Sequence, residues 1–120
     1  MTNILGLDFI TILVSDLEAS YKFYKEKLNL PDSPEKQPNA HAFATRPCPF
    51  AIRQKPAGQK IENPGQGILL WLRAADSTAL YNDLRAQAVP IAEDLRKSPF
   101  GMTFSIKDPD GYVISFHDGG

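Results

Sequence analysis

The feature that most constrains this chain is a pattern that occurs twice. Each half opens with an apolar run typical of a strand buried on both faces, residues 9–14 (FITILV) and residues 68–72 (ILLWL). An amphipathic helix and about three short strand candidates follow in each half. One βαβββ unit of this size buries its own sheet poorly, so we expect the two units to pair their sheets and leave the helices outside. The pattern predicts an α+β fold, and the rival interpretation is an α+β sandwich without internal symmetry.

Polar residues before each helix predict where it begins. Ser15 is the expected N-cap of the first helix, with Glu18 completing a capping box three residues later. Asp76 or Ser77 caps the second helix. The predicted buried faces are Leu17, Tyr21, Tyr24 and Leu28 in the first helix, and Leu80, Leu84 and Ala88 in the second.

Proline and glycine mark the boundaries within a single domain that spans residues 1–120. Residues 55–67 (KPAGQKIENPGQG) predict a loop, so we place modules at about residues 7–55 and 67–118, with a linker at about 56–66. The proline-rich residues 31–39 (PDSPEKQPN) can hold at most a short edge strand.

The bulk composition excludes several classes of function. A formal net charge of −1 argues against a nucleic-acid-binding protein, which would usually carry a basic stripe. No stretch approaches 18 uninterrupted apolar residues, so we expect no membrane partner. Cys48 is the single cysteine and cannot form an internal disulfide. These observations predict a cytoplasmic protein.

Two stretches carry a resemblance to a known family. They are residues 8–30 (DFITILVSDLEASYKFYKEKLNL) and residues 104–118 (FSIKDPDGYVISFHD). The chain resembles the vicinal-oxygen-chelate superfamily, which includes glyoxalase I, extradiol dioxygenases and bleomycin-resistance proteins. The resemblance covers nearly the whole chain. It implies two βαβββ modules that curl into an open, cup-shaped mixed sheet, and the cup holds either a metal or a ligand.

The resemblance also implies four metal-ligand positions on the cavity face. Three of them carry Phe9, Gly67 and Ser115 in this chain. The fourth falls within residues 50–55, where Gln54 is the one possible oxygen ligand. A catalytic divalent metal needs about three protein ligands, and Phe, Gly and Ser do not supply them. We therefore expect no metal and no cofactor.

Missing metal ligands are a feature of the bleomycin-resistance branch. The chain resembles this branch further in the LY pair at residues 80–81 and in the SPFGM stretch at residues 98–102, where that branch often has PWG. The branch implies homodimers that sequester a drug, without altering it, in grooves at the subunit interface. We assign no catalytic residue, and the predicted ligand-binding residues are Phe9, Thr11, Arg53, Leu69, Trp71, Phe100, Ser115 and His117.

Each of these assignments has a chemical reason and a structural alternative. Trp71 offers an aromatic plane for stacking, Arg53 can pair with a carboxylate or phosphate, and His117 can hydrogen-bond a ligand. The alternatives are core packing for Trp71 and Phe9, a loop anchor for Phe100, and a solvated surface position for Arg53 and His117. The acidic residues expected nearest to a groove for a cationic drug are Asp8, Glu93 and Asp94.

Three functions therefore stay open. The first is sequestration of a drug or aromatic natural product by a metal-free homodimer. The second is a lyase, isomerase or oxygenase of the same superfamily, with a relocated metal or with acid/base catalysis by His117 or His41. The third is an accessory domain whose vestigial cup is closed by the side chains of Phe9 and Trp71.

Overall fold

The computed structural model describes residues 3–35 and 37–119. Within these residues the chain forms an α+β fold of two mixed sheets, which confirms the predicted fold class. The elements in chain order are β1 (Ile10–Val14), α1 (Leu17–Lys22), β2 (Ala40–Phe43), β3 (Phe50–Gln54), β4 (Leu70–Arg73), α2 (Ser77–Ala86), β5 (Ile91–Ser98), β6 (Gly101–Lys107) and β7 (Val113–His117). One π-helical turn, Phe23–Lys27, continues α1. A bilayer crossing would need a longer and more apolar helix than any that the described residues form.

The chain divides into two compact units, Met1–Ile61 and Glu62–Gly120, which we call the first and second units. In the first unit β1 pairs in parallel with β3, and β3 pairs antiparallel with β2. In the second unit β4 pairs in parallel with β7, and β6 and β5 follow antiparallel. The two sheets share one strand order, except that a single bridge between Asp32 and Phe43 stands where the second unit has β5. The predicted repeat is therefore present in the topology, with an edge strand reduced by the prolines around it.

Each sheet has one face covered by its helix. The opposite face carries exposed side chains in both sheets, although in the second sheet Thr103, Ser105 and Ser115 on that face are buried. In β1, Ile12 and Val14 are buried beneath α1, whereas Thr11 is exposed and Phe9 is 56% exposed. The prediction that this strand is buried on both faces is therefore wrong. We call the face away from α1 the first open face, and the face of the second sheet away from α2 the second open face.

Aspartate residues, and not Ser15, cap the two helices. The Asp16 carboxylate accepts a hydrogen bond from the backbone N–H of Ala19 at 3.1 Å, and Asp76 does the same for Ala79 at 3.0 Å. Asp and Ser are comparable N-caps in isolation, so the backbone path decides which residue stands at the first turn. The two capping residues lie 60 positions apart, and the same spacing relates the first strands of the two units, β1 and β4.

A second side chain braces the start of each helix. Gln54, at the end of β3, accepts from the N–H of Leu17 at 2.9 Å and donates to the carbonyl of Ser15 at 2.8 Å. Asp118, directly after β7, accepts from the N–H of Ser77 at 2.9 Å. The first N–H groups of a helix have no partner within the helix, so each unit supplies one from the strand that runs parallel to its first strand.

The buried helix faces differ in part from the predicted ones. In α2 the buried residues are Ser77, Tyr81 and Leu84, while Leu80 is half-buried and Ala88 lies exposed beyond the helix end. The Tyr81 ring packs edge-on against Phe104, with ring centroids 5.3 Å apart. In the first helix the buried residues are Ser20, Phe23, Tyr24 and Leu28.

Candidate functional site

A cavity of about 440 Å³ lies on the first open face. Its floor is a row of small side chains, because Thr11 in β1 pairs with Ala51 in β3, and Ala51 pairs with Ala42 in β2. Large residues at these positions would fill the space, whereas a Thr–Ala–Ala row leaves a hollow across three strands. Phe9, just ahead of β1, forms an aromatic part of the wall.

Charged side chains of both signs stand around this cavity. Arg53 is exposed on β3 and donates to the side-chain oxygen of Gln37 at 3.2 Å. The carboxylates of Asp8 and Glu35 line the same cavity. The cavity can therefore take a ligand with an apolar body and polar substituents.

The second open face carries a cluster of aromatic rings around His117. The Trp71 ring lies edge-on to the His117 ring at 6.0 Å between centroids, and the Phe100 ring at 6.3 Å. Trp71 is 47% exposed and Phe100 is 60% exposed, which is high for large apolar side chains. His117 Nδ1 lies 3.0 Å from the carbonyl oxygen of Gly119. A carbonyl oxygen only accepts, so Nδ1 carries the proton and Nε2 is left for another partner.

A buried hydroxyl pair lies beside this cluster. Trp71 pairs with Ser115 in β7, and Ser115 pairs with Ser105 in β6. The two serine oxygens are 2.7 Å apart and buried, so each satisfies the other. The Ser115 hydroxyl is therefore already hydrogen-bonded to Ser105 within the sheet.

The chain end after β7 holds the aromatic cluster in place. The Asp118 carboxylate accepts from the N–H of Ser77 at 2.9 Å and from the N–H of Met102 at 2.8 Å. These backbone donors hold the pKa of Asp118 below its ordinary value, the Ser77 N–H contributing most. The N–H of Gly119 also donates to the carbonyl of Phe100 at 2.7 Å. The position of Phe100 next to His117 thus depends on the two residues that follow β7.

The metal-ligand positions implied by the family do not form a metal site. Gln54 uses both ends of its amide on the start of α1, and Ser115 is bonded to Ser105. Gly67 lies in a turn ahead of β4, and Phe9 lies just ahead of β1. Neither Phe9 nor Gly67 has a side-chain atom that could coordinate a metal. Across residues 3–35 and 37–119, no group of three His, Cys, Asp or Glu side chains is close enough to share an ion.

The predicted ligand-binding residues fall into two groups. Phe9, Thr11 and Arg53 line the cavity on the first open face. The rest belong to the second unit, where Trp71, Phe100 and His117 lie together. Ser115 lies beside Trp71 in the neighbouring strand, and Leu69 is 84% exposed ahead of β4.

Three residues that sequence reasoning missed share the second open face with His117. Arg73 pairs with His117, His117 pairs with Thr103, and Thr103 pairs with Arg96 across four strands. The alternation within β4 and β6 gave a signal for the faces on which Arg73 and Thr103 lie, whereas register shifts in β5 remove that signal for Arg96. The alternation gave no signal for which residues become neighbours across the sheet.

The model of one protein family matches residues 6–116, almost the entire chain. The chain belongs to the glyoxalase/bleomycin resistance protein/dioxygenase superfamily. This confirms the resemblance at the level of the superfamily. No curated protein matches the chain in sequence at a significant level.

Solved structures of the superfamily fold superpose on nearly the full chain. TnmS3, an antibiotic binding protein from Streptomyces sp. CB03234, is similar with a TM-score of 0.77 and 21% identity, covering 100% of both chains. A lactoylglutathione lyase from Agrobacterium tumefaciens has a TM-score of 0.70 and 16% identity, covering 98% of this chain and 96% of its own. A glyoxalase/bleomycin resistance protein/dioxygenase from Alicyclobacillus acidocaldarius has a TM-score of 0.72 and 19% identity, covering 99% and 95%. At these identities the superfamily fold is what the likeness establishes.

Proposed function

We propose that this superfamily member is a metal-free small-molecule-binding protein of the bleomycin-resistance type, which sequesters a drug or aromatic natural product. The observation that carries the proposal is the cavity of about 440 Å³ on the first open face. Cavities of about 300–1,000 Å³ hold drug-sized ligands. The row of Thr11, Ala51 and Ala42 keeps this space free, and within residues 3–35 and 37–119 no three His, Cys, Asp or Glu side chains come together to hold a metal.

Exposed aromatic side chains support ligand binding. Phe9, Trp71 and Phe100 are each about half exposed, although burial of such a side chain ordinarily contributes about 1.5–3 kcal/mol. Exposed apolar groups of this size commonly mark ligand or partner surfaces. The open cavity beside Phe9 also favours binding over a vestigial cup that is closed by its own side chains.

The partner in this proposal is a second copy of the chain. Ile4, Leu5 and Leu7 are 80%, 97% and 72% exposed, and Leu69 is 84% exposed. A homodimer interface would cover such apolar residues and surround a ligand with aromatic walls. TnmS3 is described as an antibiotic binding protein and shares the fold, which supports the same class of function here. A cytoplasmic location is part of the same proposal.

The alternative function is a lyase, isomerase or oxygenase of the same superfamily. A lactoylglutathione lyase shares the fold. The observation that favours metal-free acid/base chemistry is the Nε2 atom of His117, which no described residue hydrogen-bonds. His41, the second histidine considered, packs on Tyr21 at 4.2 Å between ring centroids.

A thermal-shift screen with aromatic natural products, glycopeptide drugs and divalent metals tests the proposal. A ligand at a hundredfold excess over its Kd adds about 2.7 kcal/mol to the free energy of unfolding. For a chain of this length that corresponds to a rise in Tm on the order of 10 °C. Ala51→Phe fills the cavity floor and should abolish the shift, whereas Ala57→Phe in the exposed loop should leave it unchanged.

Two results would overturn the proposal. One is stoichiometric Zn, Ni, Mn or Fe in the purified protein, measured by atomic emission, since a bound catalytic metal supports the enzyme alternative. The other is a ligand shift that Ala51→Phe leaves intact, since the ligand would then bind elsewhere.

A further inference from the structure

We propose that the second open face recognises the acidic oxygen group of a planar aromatic ligand. This inference goes beyond the proposed function, because it assigns a second binding face and the chemical class of the ligand that this face takes. We call the four residues Arg73, His117, Thr103 and Arg96 the basic row. The basic row would hold the acidic group, and Trp71 with Phe100 would contact the aromatic ring.

The sheet register brings the basic row together. Each member is the direct partner of the next across the strands β4, β7, β6 and β5, so all four side chains leave the same face. Neighbouring strands lie about 4.8 Å apart, which puts the Cα atoms of Arg73 and Arg96 about 14 Å apart. Two long guanidinium side chains at this separation can reach one group bound over His117 and Thr103.

Neither guanidinium group has a charged partner within residues 3–35 and 37–119. No described carboxylate forms an ion pair with Arg73 or Arg96. Lys107 lies on the same face, opposite Val113, and among the described strand residues the one carboxylate in register on this face is Glu93, opposite Ser105. Three cations therefore face one anion. Guanidinium groups match carboxylate, sulfonate and phosphate oxygens in geometry as well as in charge.

Thr103 provides an independent sign of a missing ligand. It is 2% exposed, and its hydroxyl has no hydrogen-bond partner among the described residues. A buried hydroxyl without a partner destabilises a fold, so its presence in the centre of a sheet calls for a partner. A ligand oxygen would accept from the Thr103 hydroxyl only after the side chains that bury this hydroxyl move aside, and the imidazolium form of His117 would donate from Nε2 while keeping its bond to Gly119.

The same face offers apolar surface for the rest of the ligand. Trp71 and Phe100 flank His117, and both are about half exposed. A ring placed against them sets an attached acidic group over the neighbouring row. The acidic lining expected for a cationic drug is weaker than predicted, because Asp94 accepts from the Tyr81 hydroxyl on the helix-covered side.

A matched pair of fluorescent probes tests this inference. The probes are 8-anilinonaphthalene-1-sulfonate and N-phenyl-1-naphthylamine, which differ in the sulfonate group alone. We expect the full chain to bind the sulfonate at least about tenfold more tightly, a difference of about 1.4 kcal/mol. Raising the salt from about 0.05 M to 0.5 M should weaken binding of the sulfonate probe and leave binding of the neutral probe unchanged.

Variants assign the effect to the basic row. Arg73→Gln and Arg96→Gln should each remove most of the preference for the sulfonate, and Thr103→Val should reduce it without loss of stability. Arg85→Gln is the matched control, because Arg85 stacks on Tyr81 on the helix-covered side. Trp71→Leu should weaken both probes alike.

The outcomes separate this inference from the proposed function. Equal affinities for the two probes, or equal losses in Arg73→Gln and Arg85→Gln, would overturn the acidic-ligand inference and leave aromatic binding standing. Binding of neither probe would also overturn it, while the thermal-shift screen and Ala51→Phe would still decide the proposed function.

Discussion

The brace that Gln54 forms at the start of α1 allows a sharp test of what this residue does. Gln54→Leu keeps the size of the side chain and removes both of its hydrogen bonds, to Leu17 at 2.9 Å and to Ser15 at 2.8 Å. Each such bond contributes about 1 kcal/mol, and a partly buried N–H left unpaired costs more than an exposed one. We expect a loss of about 1.5–2 kcal/mol in the free energy of unfolding, which lowers Tm by roughly 6–8 °C.

Urea unfolding followed by circular dichroism measures this loss. Gln54→Glu should cause about half of the stability loss of Gln54→Leu, because a carboxylate still accepts from the N–H of Leu17 but cannot donate to the carbonyl of Ser15. Gln59→Leu is the control, since Gln59 is exposed in the loop and its side chain has no hydrogen-bond partner in the described parts of the chain. Unchanged stability of Gln54→Leu, together with lost ligand or metal binding, would show that Gln54 serves the cavity and would refute the brace.

Two further predictions concern the second unit. Thr103→Val should leave the free energy of unfolding unchanged or raise it by about 1 kcal/mol, because it removes a buried hydroxyl without a partner; a loss above that size in urea unfolding would reveal a bond that Thr103 makes. The pKa of Asp118 is lowered from its ordinary value of 3.8, so its contribution to stability is present above that pH and is lost as the pH falls through the folded-state pKa. Asp118→Asn should flatten this part of the pH dependence between about pH 5 and pH 2, and an unaltered profile would contradict the assignment.

Much of the fold follows from local patterns in the sequence. Alternation of apolar and polar residues predicted a strand at residues 102–107, and β6 is Gly101–Lys107. The proline-rich residues 31–39 were expected to hold at most a short edge strand, and those of them that the structure describes contribute two isolated bridges, from Asp32 and from Gln37. Each of these inferences depends on neighbours in the chain, which the sequence contains directly.

Local sequence patterns are not sufficient to predict which residues cap and brace the helix starts. Ser15 and Asp16 are adjacent and both are good caps, so composition does not choose between them. The side chains that brace the helix starts could not be predicted from local patterns, since Gln54 is 37 residues from Leu17 and Asp118 is 41 residues from Ser77. A partner at that separation is determined by the parallel pairing of β3 with β1 and of β7 with β4.

The candidate sites depend on tertiary structure for the same reason. The sequence alone predicted that Trp71, Phe100 and His117 matter, because aromatic and titratable groups on alternating strands are informative by themselves. It did not indicate that Arg73, Thr103 and Arg96 stand in one row with His117. Side-chain period is a local property of a strand, whereas the residue across the sheet is set by register, and register is decided when the whole unit folds.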